Sequence, residues 1–474
     1  MIARVVSTPI PLPAGKIPAG KPRRIAPEVL NAVLPGPGRD RLAGGEVLAI
    51  TTGQQPALFT GPLYTVNKAL AAVALAARLE QERGLPVVPV FWIAGDDHDF
   101  AEANHAAVLG KDGEIVNIVL RERPHEAPQL PLFREVLGPD IRAAIEAFDA
   151  ALPDGEFKAD VRGWLETTFR PDTNLADASA DALNRLLGGR GLAVFRAHDP
   201  SAKRAAAPWL LRALDETLAD GLTPLLVEGK LGRDRLRKDG SAWVTRRSGE
   251  RFTRAQLEQI AADAPERLSP NVLLRPVIEA ALFPTLAYVG GPGEMEYLPE
   301  SAPLFESLGV TPQAHVPRWS GTIIEAKIDK ILTKLDLTPA DFATKPGDLE
   351  ARFAQADLPP ELAASLEQLR ADVEQQYARI SGEVQQLDPT LERTVLSARN
   401  AALAGTNDIE KKLVASIKRT QGTLLSQLTR ARNALLPGGK PQERVLTIAS
   451  FLARYGGTVV DEIAAEVARW AAGL

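Results

Sequence analysis

An acidic loop that carries one histidine is the segment of the sequence best suited to proton transfer. His98 follows an apolar run, residues 86–94, and three aspartates surround it: Asp96, Asp97 and Asp99. Neighbouring carboxylates stabilise an imidazolium, so we expect a raised pKa for His98 and an imidazole oriented as a general base. Two alternatives stay open. The aspartates cap a helix start, or a divalent metal is bound by four side chains: His98, Asp99, Glu102 and His105.

A polar loop between an apolar strand and a helix is the second candidate. Its side chains and backbone amides suit the polar groups of a ligand, and the residues concerned are Gln54, Gln55, Thr60, Gly61, Tyr64 and Lys68. A helix predicted to begin at Pro62 would direct its positive end toward a carboxylate or phosphate. An ordinary polar strand-to-helix turn explains this loop equally well.

Two glycine-rich segments complete the set of candidate residues. The first follows an apolar strand and contains Gly290, Gly291, Gly293 and Glu294, with Tyr297 close behind. It matches neither GxGxxG nor a P-loop, so as a bare motif it has low specificity. The second segment offers glycine backbone and two cations to a phosphate, but it also fits a helix end followed by a loop: Gly438, Gly439, Lys440 and Arg444.

The elements that position these loops follow the order of an α/β protein. Residues 46–52 and 86–94 are apolar strands, and residues 62–83 between them fit a helix, which makes one βαβ unit. The pattern continues with further predicted elements: a helix at 176–187, a strand at 192–197 and a helix at 202–219. Residues 222–254 have the alternation of short antiparallel strands. We therefore predict a parallel sheet covered by helices, with inserted segments.

After residue 324 the pattern becomes that of long amphipathic helices. A near-heptad seam runs through Leu362, Leu366, Leu369, Val373, Tyr377, Ile380, Val384 and Leu387. Pro389 interrupts it, and a second seam runs through Ile409, Leu413, Ile417, Thr420, Leu424, Leu428, Ala431 and Leu435. These seams predict an antiparallel helical hairpin, and a projecting arm is favoured over helices packed on the core. Such an arm invites a second copy of the chain.

The composition excludes several chemistries. The chain has 474 residues and no cysteine, so a disulfide, a thiolate nucleophile and a cysteine-held zinc or iron–sulfur site are ruled out. Its formal charge, 55 − 60 = −5, gives no electrostatic footprint for nucleic acid or a membrane surface. No segment has the pattern of a signal peptide or a membrane span, so a cytoplasmic location is expected.

Four blocks of the sequence resemble one known family, the cysteine-adding enzymes (cysteine ligases) of bacillithiol biosynthesis. They are residues 52–69, 86–105, 268–297 and 441–456, in the order of the family. The resemblance covers almost the whole chain. It implies a Rossmann-like core at 1–325 with inserted connecting segments, at about 111–175 and 222–265. It further implies a coiled-coil arm at 326–436 for homodimerisation and a segment, 437–474, that returns to the core.

The resemblance also implies an activity: joining L-cysteine to glucosaminyl-malate through an amide, the last step of bacillithiol synthesis. ATP or another nucleotide is the expected activator, although the chain lacks the His-x-Gly-His signature of class I aminoacyl-tRNA synthetases, whose core is similar. His98 and its aspartates would then be catalytic, and the second loop would bind substrate. The Gly290 segment would line the opposite wall, with backbone amides available to a developing oxyanion. The Gly438 segment would bind nucleotide phosphate or malate. Another carboxylate–amine ligase, a nucleotidyltransferase-like enzyme and a non-catalytic dimeric scaffold stay as alternatives.

Overall fold

The computed structural model describes residues 2–420 and 422–474. The side chains of Ala3, Lys418 and Thr420 lie outside the described part. Thr420 is a member of the predicted second seam, so the prediction for its side chain lies outside that part as well. The chain divides into two compact units. The first comprises the residues up to Ala326 together with Lys440–Leu474, and the second comprises Lys327–Gly439.

The strands of the first unit form one parallel sheet and several antiparallel ones. In chain order they are β1 (Ile2–Ser7), β2 (Leu48–Gln54), β3 (Val87–Ile93), β4 (His105–Leu109), β5 (Ile115–Val119), β6 (Ala193–Arg196), β7 (Leu225–Gly229), β8 (Gly232–Asp239), β9 (Ala242–Thr245), β10 (Arg251–Thr253), β11 (Leu268–Pro270), β12 (Thr285–Gly290), β13 (Ala314–Pro317) and β14 (Gly321–Glu325). The central sheet has the order β13-β12-β2-β3-β6, and all its neighbours are parallel. This confirms the predicted α/β class.

β2 and β3 are buried along almost their whole length, because helices cover the central sheet. Their apolar sequences are typical of strands in such a sheet. The helices of the first unit are Pro27–Asn31, Pro37–Ala43, Tyr64–Arg83, Phe100–Ala103, Asp140–Ala151, Lys158–Thr168, Leu175–Leu187, Pro200–Arg212, Arg254–Asp263, Arg275–Leu282, Pro292–Tyr297, Ala302–Leu308, Ile448–Tyr455 and Thr458–Ala472. The helix predicted at 202–219 is thus shorter and begins two residues earlier.

The first βαβ unit differs from its prediction at the helix start. The helix begins at Tyr64, not at Pro62, because Phe59, Thr60 and Gly61 adopt left-handed φ angles of 52°, 69° and 70°. The amide of Leu63 is used outside the helix, where it donates to the carbonyl of Leu446 over 2.8 Å. The end is as predicted: Gly84 terminates the helix with φ of 64°, a conformation that glycine adopts without strain.

The short strands predicted between residues 222 and 254 are confirmed. They are β7 to β10, and together with β11, which lies beyond the predicted range, they form an antiparallel sheet with the order β10-β9-β8-β7-β11. Two further antiparallel pairs, β1 with β14 and β4 with β5, stand outside both larger sheets. The inserted sheet matters for the site because β8 and the segment after β11 supply residues to the cavity described below.

The second unit contains the predicted helical hairpin. Its helices are Asp348–Ala356, Pro360–Leu387, Glu392–Thr420 and Gly422–Leu435, and the helix Ala326–Leu335 leads into it. The turn lies at Pro389–Leu391, and Arg370 forms an ion pair with Glu410, nearly equal distances before and after that turn. The two long helices are therefore antiparallel. None of the described helices is both long and apolar enough to cross a membrane.

Candidate functional site

A cavity of about 580 Å³ lies at the carboxyl ends of β2, β3 and β12. These strands are neighbours in the parallel sheet, so the loops that follow them meet at one edge, where open α/β sheets bind ligands. The predicted residues that line it are Gln54, Gln55, Tyr64, Lys68, Asp96, Asp97, Gly291, Gly293, Glu294, Tyr297 and Arg444. Sequence reasoning did not assign several other lining residues to the site, among them Trp92, Arg233, Asn271, Arg275, Tyr288 and Arg318.

Lys68 forms the floor of this cavity and is almost fully buried. Its ammonium group donates to the carbonyl of Gly53 over 2.7 Å and to the amide oxygen of Gln54 over 3.1 Å, and it pairs with Glu294. Burial lowers the pKa of Lys68, while the carboxylate of Glu294 opposes that change. Lys68 therefore links the end of β2 to the segment after β12.

Glu294 is the acceptor at the centre of the floor. Besides Lys68, the Tyr288 hydroxyl donates to it over 2.6 Å and the Gly291 amide over 2.8 Å. Burial opposes its charge, but the cations Lys68 and Arg275 outweigh burial and lower the pKa of Glu294. Because the Gly291 amide is already hydrogen-bonded, it is not open to a developing oxyanion, the role that the resemblance implied, and Gly290 does not line the cavity.

Arg275 and Glu279 extend the floor beneath the cavity. The guanidinium of Arg275 donates to Glu279 over 3.1 Å and lies 4.7 Å from the centroid of the Tyr288 ring. Glu279 is fully buried and accepts a hydrogen bond from the Thr51 hydroxyl. Burial raises the pKa of Glu279 to about 7. The i, i+4 spacing of Arg275 and Glu279 in an apolar helix was the signal that could have found this pair.

The acidic loop contributes Asp96 and Asp97 to the wall of the cavity. The ammonium group of the buried Lys203 donates to Asp96 over 2.5 Å, which holds that carboxylate against the sheet. One oxygen of Asp97 accepts the backbone amides of His98, over 2.6 Å, and Asp99, over 3.1 Å. Asp97 is half-exposed, and these bonds fix its orientation toward the cavity.

His98 does not line the cavity, and its environment differs from the expectation. Its Nδ1 is buried without a hydrogen-bond partner in the described part of the chain and lies 3.9 Å from Asp97 Oδ1. Burial and the charge of Arg233 lower the pKa of His98, so the predicted increase is wrong. The error arose because the sequence shows the nearby aspartates but not the distant arginines or the degree of burial.

Asp99 also lies outside the cavity lining, and the helix-cap alternative describes it correctly. Its carboxylate accepts the Glu102 amide over 3.0 Å at the start of the helix Phe100–Ala103. Among residues 2–420 and 422–474, no group of three or more histidine or acidic side chains is arranged to hold a metal ion. The His105 ring nitrogen Nδ1 instead lies 3.0 Å from the carbonyl of Ala101.

The second predicted loop is divided by the structure. Gln54, Gln55 and Tyr64 face the cavity, and the Gln54 amide donates to the Tyr64 hydroxyl over 3.3 Å. Burial and the charge of Glu102 raise the pKa of Tyr64 to about 12, so its phenol stays protonated as a donor. Thr60 and Gly61 are buried in the left-handed turn and do not line the cavity.

Two consecutive residues near the C-terminus serve different purposes. Glu443 is buried and accepts two hydrogen bonds, each 2.7 Å long, from the Arg318 guanidinium. Arg444 is exposed at the cavity and has no ion-pair partner among the described residues. Lys440 lies in the same unit but does not line the cavity, and Gly438 and Gly439 belong to the second unit. Of the predicted phosphate-binding residues, only Arg444 reaches this cavity.

The fold defines a Rossmann-like α/β protein with a polar cavity at the carboxyl edge of its parallel sheet. Family models for bacillithiol biosynthesis BshC match nearly the whole chain. The N-terminal Rossmann-like domain matches residues 39–223 and 224–319, and the C-terminal coiled-coil domain matches residues 321–469. The chain belongs to this BshC family, which confirms the predicted family and the coiled-coil assignment.

Three curated relatives carry the name "Putative cysteine ligase BshC". The protein of Chlorobaculum tepidum is 32% identical over 90% of this chain and 82% of its own length. The protein of Salinibacter ruber is 31% identical over 90% of this chain and 81% of its own length. The protein of Symbiobacterium thermophilum is 32% identical over 89% of this chain and 82% of its own length. These names confirm the predicted ligase class.

Proposed function

We propose that this protein adds L-cysteine to glucosaminyl-malate by forming an amide, the last step of bacillithiol synthesis. One observation carries the proposal: a single cavity presents the guanidinium of Arg444, which has no ion-pair partner among the described residues, together with the half-exposed carboxylate of Asp97 and the exposed carboxylate of Glu102. Glucosaminyl-malate has two carboxylates and an amine, and L-cysteine has one of each. A cavity with separate cationic and anionic parts suits both molecules.

The cationic part is assigned to the malate. Arg444 offers a planar guanidinium that can hold a carboxylate through two parallel hydrogen bonds. The charge of Arg444 favours the ionised form of the Tyr64 phenol, so the two side chains are close together. Burial and Glu102 have the opposite and larger effect, and the pKa of Tyr64 is raised overall. The amide of Gln55 and the hydroxyl of Tyr64 then face the sugar hydroxyls, which are neutral donors and acceptors.

The acidic part is assigned to the amine, and Asp97 replaces His98 as the proton acceptor. Asp97 lines the cavity, whereas His98 does not. One Asp97 oxygen is held by two backbone amides, and the other is left for the substrate. The substrate amine attacks the cysteine carbonyl carbon in its neutral form, and its nitrogen must release one proton as the C–N bond forms. Asp97 would receive that proton as the C–N bond forms and the activated leaving group departs.

Activation of the cysteine carboxyl group is the remaining requirement. A free carboxylate is a poor acyl donor, so we propose that ATP or another nucleotide supplies the leaving group. The absence of cysteine from the chain closes the route through an enzyme thioester. Leaving ATP out of the reaction tests this step directly.

We also propose that the hairpin arm pairs two copies of the chain. Three seam residues, Leu369, Ile380 and Ile409, keep between 40% and 48% of their surface exposed in the single chain. Apolar residues repeated along a helical hairpin are typical of a coiled-coil interface, and a second copy is the simplest partner.

The activity is tested by incubating the purified protein with L-cysteine, glucosaminyl-malate and ATP and detecting bacillithiol by mass spectrometry. We expect product only in the complete mixture. A panel of other amino acids and amino sugars examines the alternative that another carboxylate–amine pair is joined. Product from a different pair, with none from L-cysteine, would contradict the proposed substrates.

A further inference from the structure

The floor of the cavity holds a cluster of four charged side chains to which the proposed mechanism assigns no role. The cluster consists of Lys68, Arg275, Glu279 and Glu294. All of them except Glu279 line the cavity. Glu279 is fully buried behind Arg275. With all four ionised the cluster is neutral, and with Glu279 protonated it carries one positive charge.

The two carboxylates of the cluster differ in how firmly their charge is held. Glu294 accepts hydrogen bonds from Tyr288 and Gly291 and pairs with Lys68. Glu279 has one cationic contact, a hydrogen bond of 3.1 Å from Arg275, and one neutral contact with Thr51. Any group that competes for Arg275 therefore weakens the hold on the charge of Glu279 first.

We infer that Glu279 is a positioning residue whose carboxyl group takes up a proton when an anionic group of the substrate binds at Arg275. The inference rests on the proposed function, because it takes the anion to be a carboxylate of glucosaminyl-malate. Glu279 does not touch the substrate. It holds Arg275 over the Tyr288 ring, and its proton sets the net charge that the cavity floor presents to the anion.

The surroundings of Glu279 accommodate both protonation states. The hydroxyl of Thr51 donates to the ionised carboxylate and can accept from the protonated acid, because a hydroxyl does both. The titratable and charged groups that face Glu279 are Arg275 from its own helix, Lys68 from the helix after β2, Tyr288 from β12, and Glu294 and Tyr297 from the helix after β12. Burial raises the pKa of Glu279 to about 7, so the proton is exchangeable near neutral pH.

The coupling predicts a measurable proton uptake. Glucosaminyl-malate is titrated into the full-length protein at pH 7.5 and pH 5.5, each in two buffers of different ionisation enthalpy. We expect a fraction of a proton to be taken up at pH 7.5, in excess of any change in the substrate's own amine, and that excess to disappear at pH 5.5. Glu279→Gln carries no titratable proton, so it should bind without the excess uptake. Its dissociation constant should vary less with pH than that of the natural protein.

A second variant covers the case in which Glu279→Gln does not fold. Thr51→Ala removes the neutral donor from Glu279, which should shift the pH of maximal uptake upward. Binding with equal uptake in the natural protein and Glu279→Gln, or binding with no pH-dependent uptake in the natural protein, overturns the inference and leaves the proposed function standing. Failure of glucosaminyl-malate to bind the natural protein at either pH overturns both.

Discussion

The ammonium of Lys68 and the carboxylate of Glu294 form an ion pair between the helices Tyr64–Arg83 and Pro292–Tyr297, in which the Lys68 side chain is 3% exposed and the Glu294 side chain 20%. Lys68 also bonds the carbonyl of Gly53 at the end of β2, and Glu294 also bonds the Gly291 amide after β12. The pair thus fixes the relative position of two cavity walls. Its stabilising effect depends on both partners being present, because a single buried charge is costly.

Lys68→Met is expected to destabilise the protein by about 3 kcal/mol, because it removes the cation in direct contact with the partly buried Glu294 and leaves it with the more distant Arg275, at 3.9 Å. The double variant Lys68→Met/Glu294→Gln should recover part of that loss. Chemical denaturation measures both values. Arg185→Met, which breaks an exposed pair with Asp181, is the control and should leave the unfolding midpoint unchanged. Additive losses in the double variant would show that the two residues do not interact.

Asp97→Asn is expected to lower the rate of bacillithiol formation by about 100- to 10,000-fold, because the amide cannot accept the amine proton. The fold should be retained, since an Asn oxygen still accepts the two backbone amides. Rates are compared at saturating substrate, with Asp181→Asn, whose side chain is 36% exposed and lies outside the cavity lining, as the control. If the Asp97→Asn variant is fully active and the His98→Ala variant is inactive, then His98, and not Asp97, is the base.

Arg444→Gln is expected to raise the KM for glucosaminyl-malate about tenfold and to change kcat little, because it removes a charge-assisted hydrogen bond from the ground state. The effect should shrink at high salt, since Arg444 is exposed. Arg237→Gln, an exposed residue of β8, is the matched control. A loss confined to kcat would assign Arg444 to the reacting centre instead.

Some residues of the site could be predicted from the sequence, because they lie close to the predicted strands along the chain. Lys68, Asp97 and Glu294 lie at strand ends or in the helix that follows, so a correct βαβ pattern brings them to one edge. Arg233 and Arg275 belong to other parts of the chain and enter through tertiary packing. His98 shows the same limit: its neighbours in sequence predict a higher pKa, and its neighbours in space lower it.

Glu279 should make stability depend on pH in the absence of ligand. Its pKa is about 7 in the folded protein and about 4.5 when unfolded, so the folded state binds more protons between these values. Stability therefore decreases as pH rises from 4.5 to 7, by about 3 kcal/mol from this group. Denaturation at several pH values should show that the difference between the natural protein and Glu279→Gln changes over this range. A constant difference would contradict the raised pKa.

The arm should determine the oligomeric state. Leu369→Glu combined with Ile380→Glu places charges on the exposed seam, which should separate a dimer into monomers of 50.9 kDa. Light scattering after size-exclusion chromatography measures the mass. Replacing the exposed and already charged Arg379 by Glu, outside the seam, is the control. An unchanged mass in the double variant would place any interface elsewhere.

The proposed function is tested most directly by the complete reaction with a matched variant. Purified natural protein and Asp97→Asn are each incubated with L-cysteine, glucosaminyl-malate and ATP, and bacillithiol is quantified by mass spectrometry. We predict product from the natural protein and a loss of at least 100-fold in the variant. No bacillithiol from the natural protein, with both substrates shown to be intact, would contradict the account.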